Sequence, residues 1–555
     1  MPNETKSEST QFIETNSREK MVSGSAWMTG GSILSRILGV LYIIPWMAWM
    51  GTPDVAISAN ALYGVGYTPY ALFLNIATAG VPSAIAKQVA YYNALGEYQV
   101  SRDIYKKGLH IMAITGVLSA LIMYFSAPFI AANSPVATVS DSTQVIRSLS
   151  WALLIIPCMS ITRGFIQGHH TMAPSAISQV IEQLGRVIFM LTAVYVIRIV
   201  MDGKVVDAVS ASTFGAFIGA LFSILYLLYV IWRKKPEMDY NLENSKNTIQ
   251  VSTNDILKSI IKTAIPFIII GSGITLFQLI DQFTFKPIMS AVTDMTPKQI
   301  SDNYAIVAVN ANKLIMIVIS LAGSMAITSV PVISELLAKN KTKDMKDQLS
   351  SNIQLFFFIM LPAVIGMAVV SKPLYTVFYR YSEFGTSILQ WSSYMSLSLG
   401  LFVLLGSTLQ AVNQTRPALT ALAIGLVVKL VTQFPLLYVF HTYGMLLSNI
   451  IGFSVTVGLM LFTIDKITHL NFKHLFRQIS IILLITIIMA LLVFLIQKGI
   501  YQLVDKEDRI GSLINVSISA TIGGIFYLYV TLKIRLADRL LGNKVAGIRR
   551  KLRIK

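Results

Sequence analysis

Six charged side chains stand at least four residues inside the ends of stretches that are otherwise apolar enough to cross a bilayer: Arg36, Glu182, Arg186, Asp281, Lys313 and Lys429. A charge at the centre of a membrane helix costs about 2.5–3.5 kcal/mol on insertion scales, so chains keep one where it faces a packed interior or a wet cavity. At 1.5 Å per residue, Arg36 lies roughly 18 Å into its helix and Lys313 roughly 15 Å into its own, too deep for easy snorkelling to the interface. Four of the six are cations, and the chemistry such a set performs is electrostatic recognition of an anion. Arg36, Lys313, Arg186 and Lys429 are therefore the candidate substrate-binding residues. Glu182 precedes Arg186 by four positions, the spacing of a mutual ion pair on one helix face. Asp281, close to Gln278, either binds a coupling cation or neutralises a neighbouring cation. Glu182, Asp281 and Gln278 form a second group, of cavity or coupling candidates. Gln167, Gln410 and Asn413 fall at helix ends, where they either cap the helix or act as gates.

The elements that must position these groups are membrane spans. The chain of 555 residues is 54% hydrophobic and 13% charged, about half the charged fraction of a soluble protein. Apolar runs of bilayer length recur throughout. The pattern predicts fourteen helices, at 24–50, 62–89, 108–132, 146–166, 174–200, 208–232, 260–285, 303–334, 351–371, 386–411, 417–438, 443–464, 477–497 and 511–532. With the N-terminus inside, the inner loops collect the basic clusters "RKK" at 233–235, "KNKTKDMK" at 339–346 and "RRKLRIK" at 549–555. That bias predicts a multi-pass protein with both termini cytoplasmic. It also accounts for the net charge of +18 without nucleic acid, because the charge is spread over short loops with no aromatic-studded patch. The single cysteine, Cys158, lies in a span, so no disulfide framework or cysteine metal site is expected.

The spans contain a repeat. Gln167 and Gln410, Pro174 and Pro417, and Arg186 and Lys429 are each 243 residues apart, as are Ala79-Gly80 and Ala322-Gly323. Six helices per repeat give two halves of the same orientation, related by an axis along the membrane normal. The expected fold is all-α: two pseudo-symmetric six-helix bundles around a central cavity, plus two extra helices. The corresponding division is a disordered cytoplasmic leader (1–23), an N-terminal bundle (24–232), a cytoplasmic linker (233–259), a C-terminal bundle (260–464), helices 13 and 14 (465–532) and a basic tail (533–555). Catalytic features are sparse. The chain has no P-loop lysine motif, no histidine set with metal spacing and no discernible nucleophile triad. It reads as a transporter and not an enzyme. A membrane enzyme would want a carboxylate set at the membrane surface, and a non-transporting scaffold is the remaining alternative.

Four segments carry a resemblance: "SRILG" at 35–39, "TAGVPSAIAKQVA" at 78–90, "RGFIQGHHTMAPSAISQVIEQLGR" at 163–186 and "NANKLIMIVISLAGSMAITSVPVISE" at 310–335. Together they are similar to the polysaccharide-exporter branch of the multidrug/oligosaccharidyl-lipid/polysaccharide superfamily, which includes the spore-stage protein B family and the lipid II flippases. The resemblance implies that Arg36 matches the family's first-helix arginine and that Lys313 takes the place of an eighth-helix arginine, keeping charge but not fork geometry. Two family positions depart: a second first-helix arginine falls at Tyr42 and an eighth-helix acid at Met316. The implied activity is flipping of an undecaprenyl-pyrophosphate-linked peptidoglycan precursor across the bacterial cytoplasmic membrane by alternating access. Another undecaprenyl-pyrophosphate-linked polysaccharide unit is the first alternative cargo, and a multidrug/cation antiporter the weaker one. No cofactor or metal is implied; the energy source is Na+, H+ or the membrane potential alone. Membrane lipids and the cell-wall synthesis machinery are the further partners expected.

Overall fold

The computed structural model of the chain describes residues 30–31, 34–35, 38–78, 81–135, 138–169, 171–245, 264–541 and Arg549. Those residues form helices joined by short turns, with no strand among them. Contacts divide the chain into two units. The first takes residues up to Gly51, Val65–Ser134 and Thr138–Thr275; the second takes Thr52–Gly64, Pro135–Ala137 and everything from Leu276 onward.

In the first unit the helices are α1 (Ile43–Met50), the later part of α2 (Pro53–Thr78), α3 (Val81–Ala94), α4 (Tyr98–Ala132), α5 (Val139–Ser150), α6 (Ala152–Gly168), α7 (Ala173–Tyr195) and α8 (Val205–Glu243). A π-helical stretch, Val196–Val200, extends α7. The tightest seam is α7 against α8. A Cβ added at Gly219 of α8 would lie 2.3 Å from the Glu182 carbonyl oxygen, so only glycine admits this approach. Small residues of this kind let membrane helices gain dispersion contacts that apolar lipid does not otherwise drive.

In the second unit the remaining helices are α9 (Gly273–Val292), α10 (Pro297–Tyr304), α11 (Asn312–Ala338), α12 (Thr342–Val369), α13 (Ser371–Tyr379), α14 (Glu383–Ala411), α15 (Thr415–Phe440), α16 (Thr442–Thr468), α17 (Phe472–Ile500), α18 (Arg509–Lys533) and α19 (Leu536–Leu541). Between α10 and α11 the backbone takes seven π-helical residues, Ala305–Ala311. The α15–α16 seam is again made by glycine: a Cβ at Gly425 would meet the Gly452 carbonyl oxygen at 2.8 Å. Helices α17 and α18, the two extra spans, pack on α12 through a core that includes Phe358, Leu361, Ile482, Met489 and Tyr527. The Tyr527 hydroxyl, buried in that core, donates to the Phe358 carbonyl at 2.8 Å.

Eleven helices among the described residues are long and apolar enough to cross a membrane, and the broken pair Ala264–Gly271 and Gly273–Val292 makes a twelfth. The first two predicted spans fall short of that measure for separate reasons. Residues 24–29, 32–33 and 36–37 of the first lie outside the described residues, leaving a short apolar helix from Leu38 to Met50. The second begins earlier than predicted, at Pro53, and is rich in Ser, Asn, Gly and Thr. The predicted linker is also partly helical, since α8 continues past 232 to Glu243; residues 246–263, like the leader, lie outside the described residues.

Candidate functional site

In the first unit the charged cluster is built by α6, α7 and α8. Arg163, near the end of α6, donates from Nη2 to Glu182 Oε2 at 2.8 Å and to Ser223 Oγ at 3.0 Å, and from Nε to Ser178 Oγ at 2.8 Å. Ser223 in turn donates to the Ser178 carbonyl at 3.0 Å. The pair is mostly enclosed, with the Arg163 side chain 14% and the Glu182 side chain 26% exposed. This corrects the expected Glu182–Arg186 pair. The i,i+4 spacing places two residues on one helix face, but the fork of a guanidinium from the adjacent helix satisfies the carboxylate and two hydroxyls together. Arg186 instead lies 5.6 Å from the centre of the Tyr67 ring, a cation–π arrangement. Arg36 lies outside the described residues.

The second unit holds two clusters. One centres on Lys313, half-buried at the start of α11. Its Nζ donates to Asn60 Oδ1 at 2.9 Å and sits 4.6 Å from the Tyr63 ring centre. Asn60 is fully buried and donates to Asn310 Oδ1; Asn310 donates to the Tyr375 hydroxyl at 3.0 Å. Asn310 lies in the π-helical stretch, so the backbone departs from α geometry beside this cation. A further tie, Ser58 Oγ to Asp302 Oδ1 at 2.9 Å, holds the first turns of α2 against α10. The arrangement positions the ammonium by a carboxamide oxygen and an aromatic face.

The other cluster surrounds Lys429, whose side chain is fully enclosed between α9, α15 and α16. Its Nζ donates to Asp281 Oδ1 at 2.7 Å, to Gln433 Oε1 at 3.1 Å and to Ser448 Oγ at 3.3 Å. Asp281 also accepts from Gln433 Nε2 at 3.0 Å and from Asn449 Nδ2 at 2.8 Å. Lysine carries three donors, and all three find acceptors, so the charge is spent inside the protein and no face of the ammonium is open to a ligand. Of the two roles open to Asp281, the contacts match counter-charge.

Three of the remaining candidates, Gln167, Gln410 and Asn413, sit at helix termini. Gln167 Nε2 donates to Ser175 Oγ at 2.6 Å, tying the end of α6 to the start of α7. Gln410 is in the last turn of α14. Asn413 has φ 59° and follows that helix. The Asn413 amide donates to the Gln410 carbonyl at 3.1 Å and the Gln414 amide to the Leu409 carbonyl at 2.8 Å. This is a Schellman stop, in which asparagine supplies the left-handed residue; the cap reading fits Asn413. Gln278 lies one turn before Asp281 on α9 and is half-buried.

Several residues that shape these clusters escaped the sequence reading. Arg163 stood in a quoted motif without a role. Asn60 fell before the predicted start of its span. Asn310 stood in a quoted motif without a role. Gln433 had a usable signal, being one turn beyond Lys429, as did Ser448 and Asn449, adjacent polar residues inside an apolar span.

Comparison with known proteins places these features. Residues 21–337 match the family described as polysaccharide biosynthesis protein. The lipid II flippase MurJ of Bacillus subtilis (strain 168) is 34% identical over 544 residues, covering 96% of this chain and 98% of that protein. Among solved structures, a lipid II flippase MurJ in an inward closed conformation superposes with a TM-score of 0.61 at 15% identity, covering 91% of this chain and 99% of that one. An inward-facing multidrug resistance MATE family transporter of the MOP superfamily superposes with a TM-score of 0.59 at 14% identity, covering 80% of this chain and 95% of that one. At these identities the structural likenesses establish the fold.

Proposed function

This chain belongs to the polysaccharide biosynthesis protein family, and on that premise we propose that it is a flippase carrying lipid-linked peptidoglycan precursor, lipid II, from the inner to the outer leaflet of a bacterial cytoplasmic membrane. The observation that carries the reading is its end-to-end likeness, at 34% identity, to a lipid II flippase. The charge chemistry supports it. A pyrophosphate head needs a cationic partner that is not locked inside a buried ion pair. Among the described cations, Lys313 is held by a carboxamide oxygen and a ring face, whereas Lys429 and Arg163 engage carboxylates. Lys313 is taken as a principal anion ligand of the proposal together with Arg36, which is carried from the sequence alone, and Arg186 as an auxiliary; Lys429 is assigned to holding the second unit together.

Alternating access between two six-helix bundles, with both termini cytoplasmic, is the transport mode the reading entails. Because Lys429 fills the Asp281 site, the membrane potential acting on cavity cations is the favoured energy source. Moving one charge across the full field is worth about 2.3 kcal/mol per 100 mV. The family description is broader than one cargo, which keeps a flippase for another undecaprenyl-pyrophosphate-linked glycan as the second reading. Direct docking with cell-wall synthesis enzymes is a further proposal of the same reading.

The test is complementation. A bacterium depleted of its own lipid II flippase expresses this chain, and labelled precursor is assayed in the outer leaflet. Rescue is expected, with loss of rescue in Arg36→Ala and Lys313→Ala variants that still insert. Absence of rescue, with rescue of a strain lacking a different lipid-linked glycan flippase, moves the assignment to the second reading. Full rescue by both variants removes the cation assignment.

A further inference from the structure

A cavity of about 230 Å³ opens in the first unit, away from the charged clusters described above, between the first turns of α4, the end of α6 and the extension of α8. Helix α4 begins at Tyr98 and α8 ends at Glu243, each overrunning its predicted span by about 15 Å. The cavity therefore sits where these helices leave the hydrocarbon. Its inner wall is aromatic: Tyr105 and Phe165 stack with centroids 4.2 Å apart. Its rim carries Arg102, Lys106 and Lys235 against one carboxylate, Asp239. Arg102 and Asp239 make a 3.3 Å ion pair, with both side chains 39% exposed. A pair so open to solvent is weak and exchanges readily for another anion. Neither lysine has an ion pair among the described residues. Trp232, 70% exposed, marks the same level, in keeping with the preference of tryptophan for the membrane–water interface.

We propose that this cavity is a binding site for an anionic glycerophospholipid. Its phosphate lies among Arg102, Lys106 and Lys235, and the first carbons of its chains lie against the aromatic wall and Trp232. The occupant follows from three properties together. The rim has an excess of positive charge, the position is interfacial, and the volume suits a phosphate with a three-carbon head but not a disaccharide-peptide head. The site is thus separate from the cargo path. Bound lipid would hold the α8 extension against α4 and α6. The leaflet follows from the proposed orientation and is the inner one; the binding itself does not depend on the cargo reading.

The experiment is native mass spectrometry of the full-length chain in detergent, titrated with phosphatidylglycerol or with phosphatidylcholine of the same chains. The tightest phosphatidylglycerol adduct is expected to form at a lipid concentration at least fivefold lower than the phosphatidylcholine adduct. Each of Arg102→Gln, Lys106→Gln and Lys235→Gln should weaken it about fivefold, the effect of one cation near an anionic surface. Asp239→Asn, which removes the competing carboxylate, should strengthen it, a gain that a misfolded chain does not show. Equal binding of the two lipids, or an unchanged adduct in the triple glutamine variant, overturns the proposal. So does displacement of the adduct by millimolar inorganic phosphate, which identifies a free-phosphate site. A two-chain species that disappears in the triple variant also overturns it, in favour of a second copy. Because no transport is read, failure here leaves the flippase reading untouched, and the converse holds.

Discussion

Removing the Asp281 carboxylate tests whether Lys429 is a structural lock or a cargo ligand. In an Asp281→Ala variant the ammonium keeps Gln433 and Ser448 at 3.1 and 3.3 Å but loses its 2.7 Å counter-ion. Asn449 Nδ2 loses its acceptor, and Gln433 Nε2 keeps only the Thr284 hydroxyl at 3.2 Å. Breaking a buried pair from one side costs about 3–5 kcal/mol, because an uncompensated charge remains in a low-dielectric interior. The enclosure of Lys429 places this case toward the upper end. Replacing both partners, as Asp281→Ala with Lys429→Met, removes both charges and leaves no stranded ion. The double variant should recover most of the loss, giving a coupling energy of about 3 kcal/mol in a double-mutant cycle. The assay is equilibrium unfolding in mixed micelles, with precursor flipping measured on the same four proteins. The lock predicts that flipping follows stability, so the double variant flips. Additive single-variant losses, or a stable double variant that does not flip, would refute the reasoning and return Lys429 to the cargo path.

Lys313→Arg should retain rescue in the complementation assay, since charge is kept, whereas Lys313→Met should lose it. Tyr63→Leu removes a cation–π contact and should weaken flipping about threefold to fivefold, from a contact worth about 1 kcal/mol; an unchanged rate removes Tyr63 from the site. Arg163→Met strands Glu182 and should destabilise by about 2–3 kcal/mol in micelles, less than a fully buried pair because Glu182 is partly exposed. Glu182→Gln should be milder, since Arg163 keeps both serine hydroxyls. Gly219→Val pushes carbon into the Glu182 carbonyl and should cost about 1–3 kcal/mol or abolish membrane expression.

Spans were legible in the sequence because a bilayer imposes a length and an apolarity that composition reveals directly. Eleven of the predicted helices meet that standard by themselves. Partnership was not legible. Spacing within one helix suggested Glu182 with Arg186, yet the partner that forms comes from α6, nineteen residues away. Asp281 and Lys429 are separated by 148 residues, and nothing local to either specifies the other. Asn60 was missed because polar residues at the start of α2 depress its hydropathy; those same residues make the contacts to α10 and α11. Polar groups that weaken a span's signal are the ones that fasten it to its neighbours.

The π-helical run Ala305–Ala311 carries a mechanical consequence. A π turn accommodates one more residue than an α turn, so this segment stores slack in the rod that connects α10 to α11. Taking up that slack would rotate everything on one side by about 100°, the angular step of one residue. Asn310 would then swing off its present neighbours while Lys313 travels around the helix axis. A swivel of this kind would end two positions before Lys313, and deleting one alanine there would weld it.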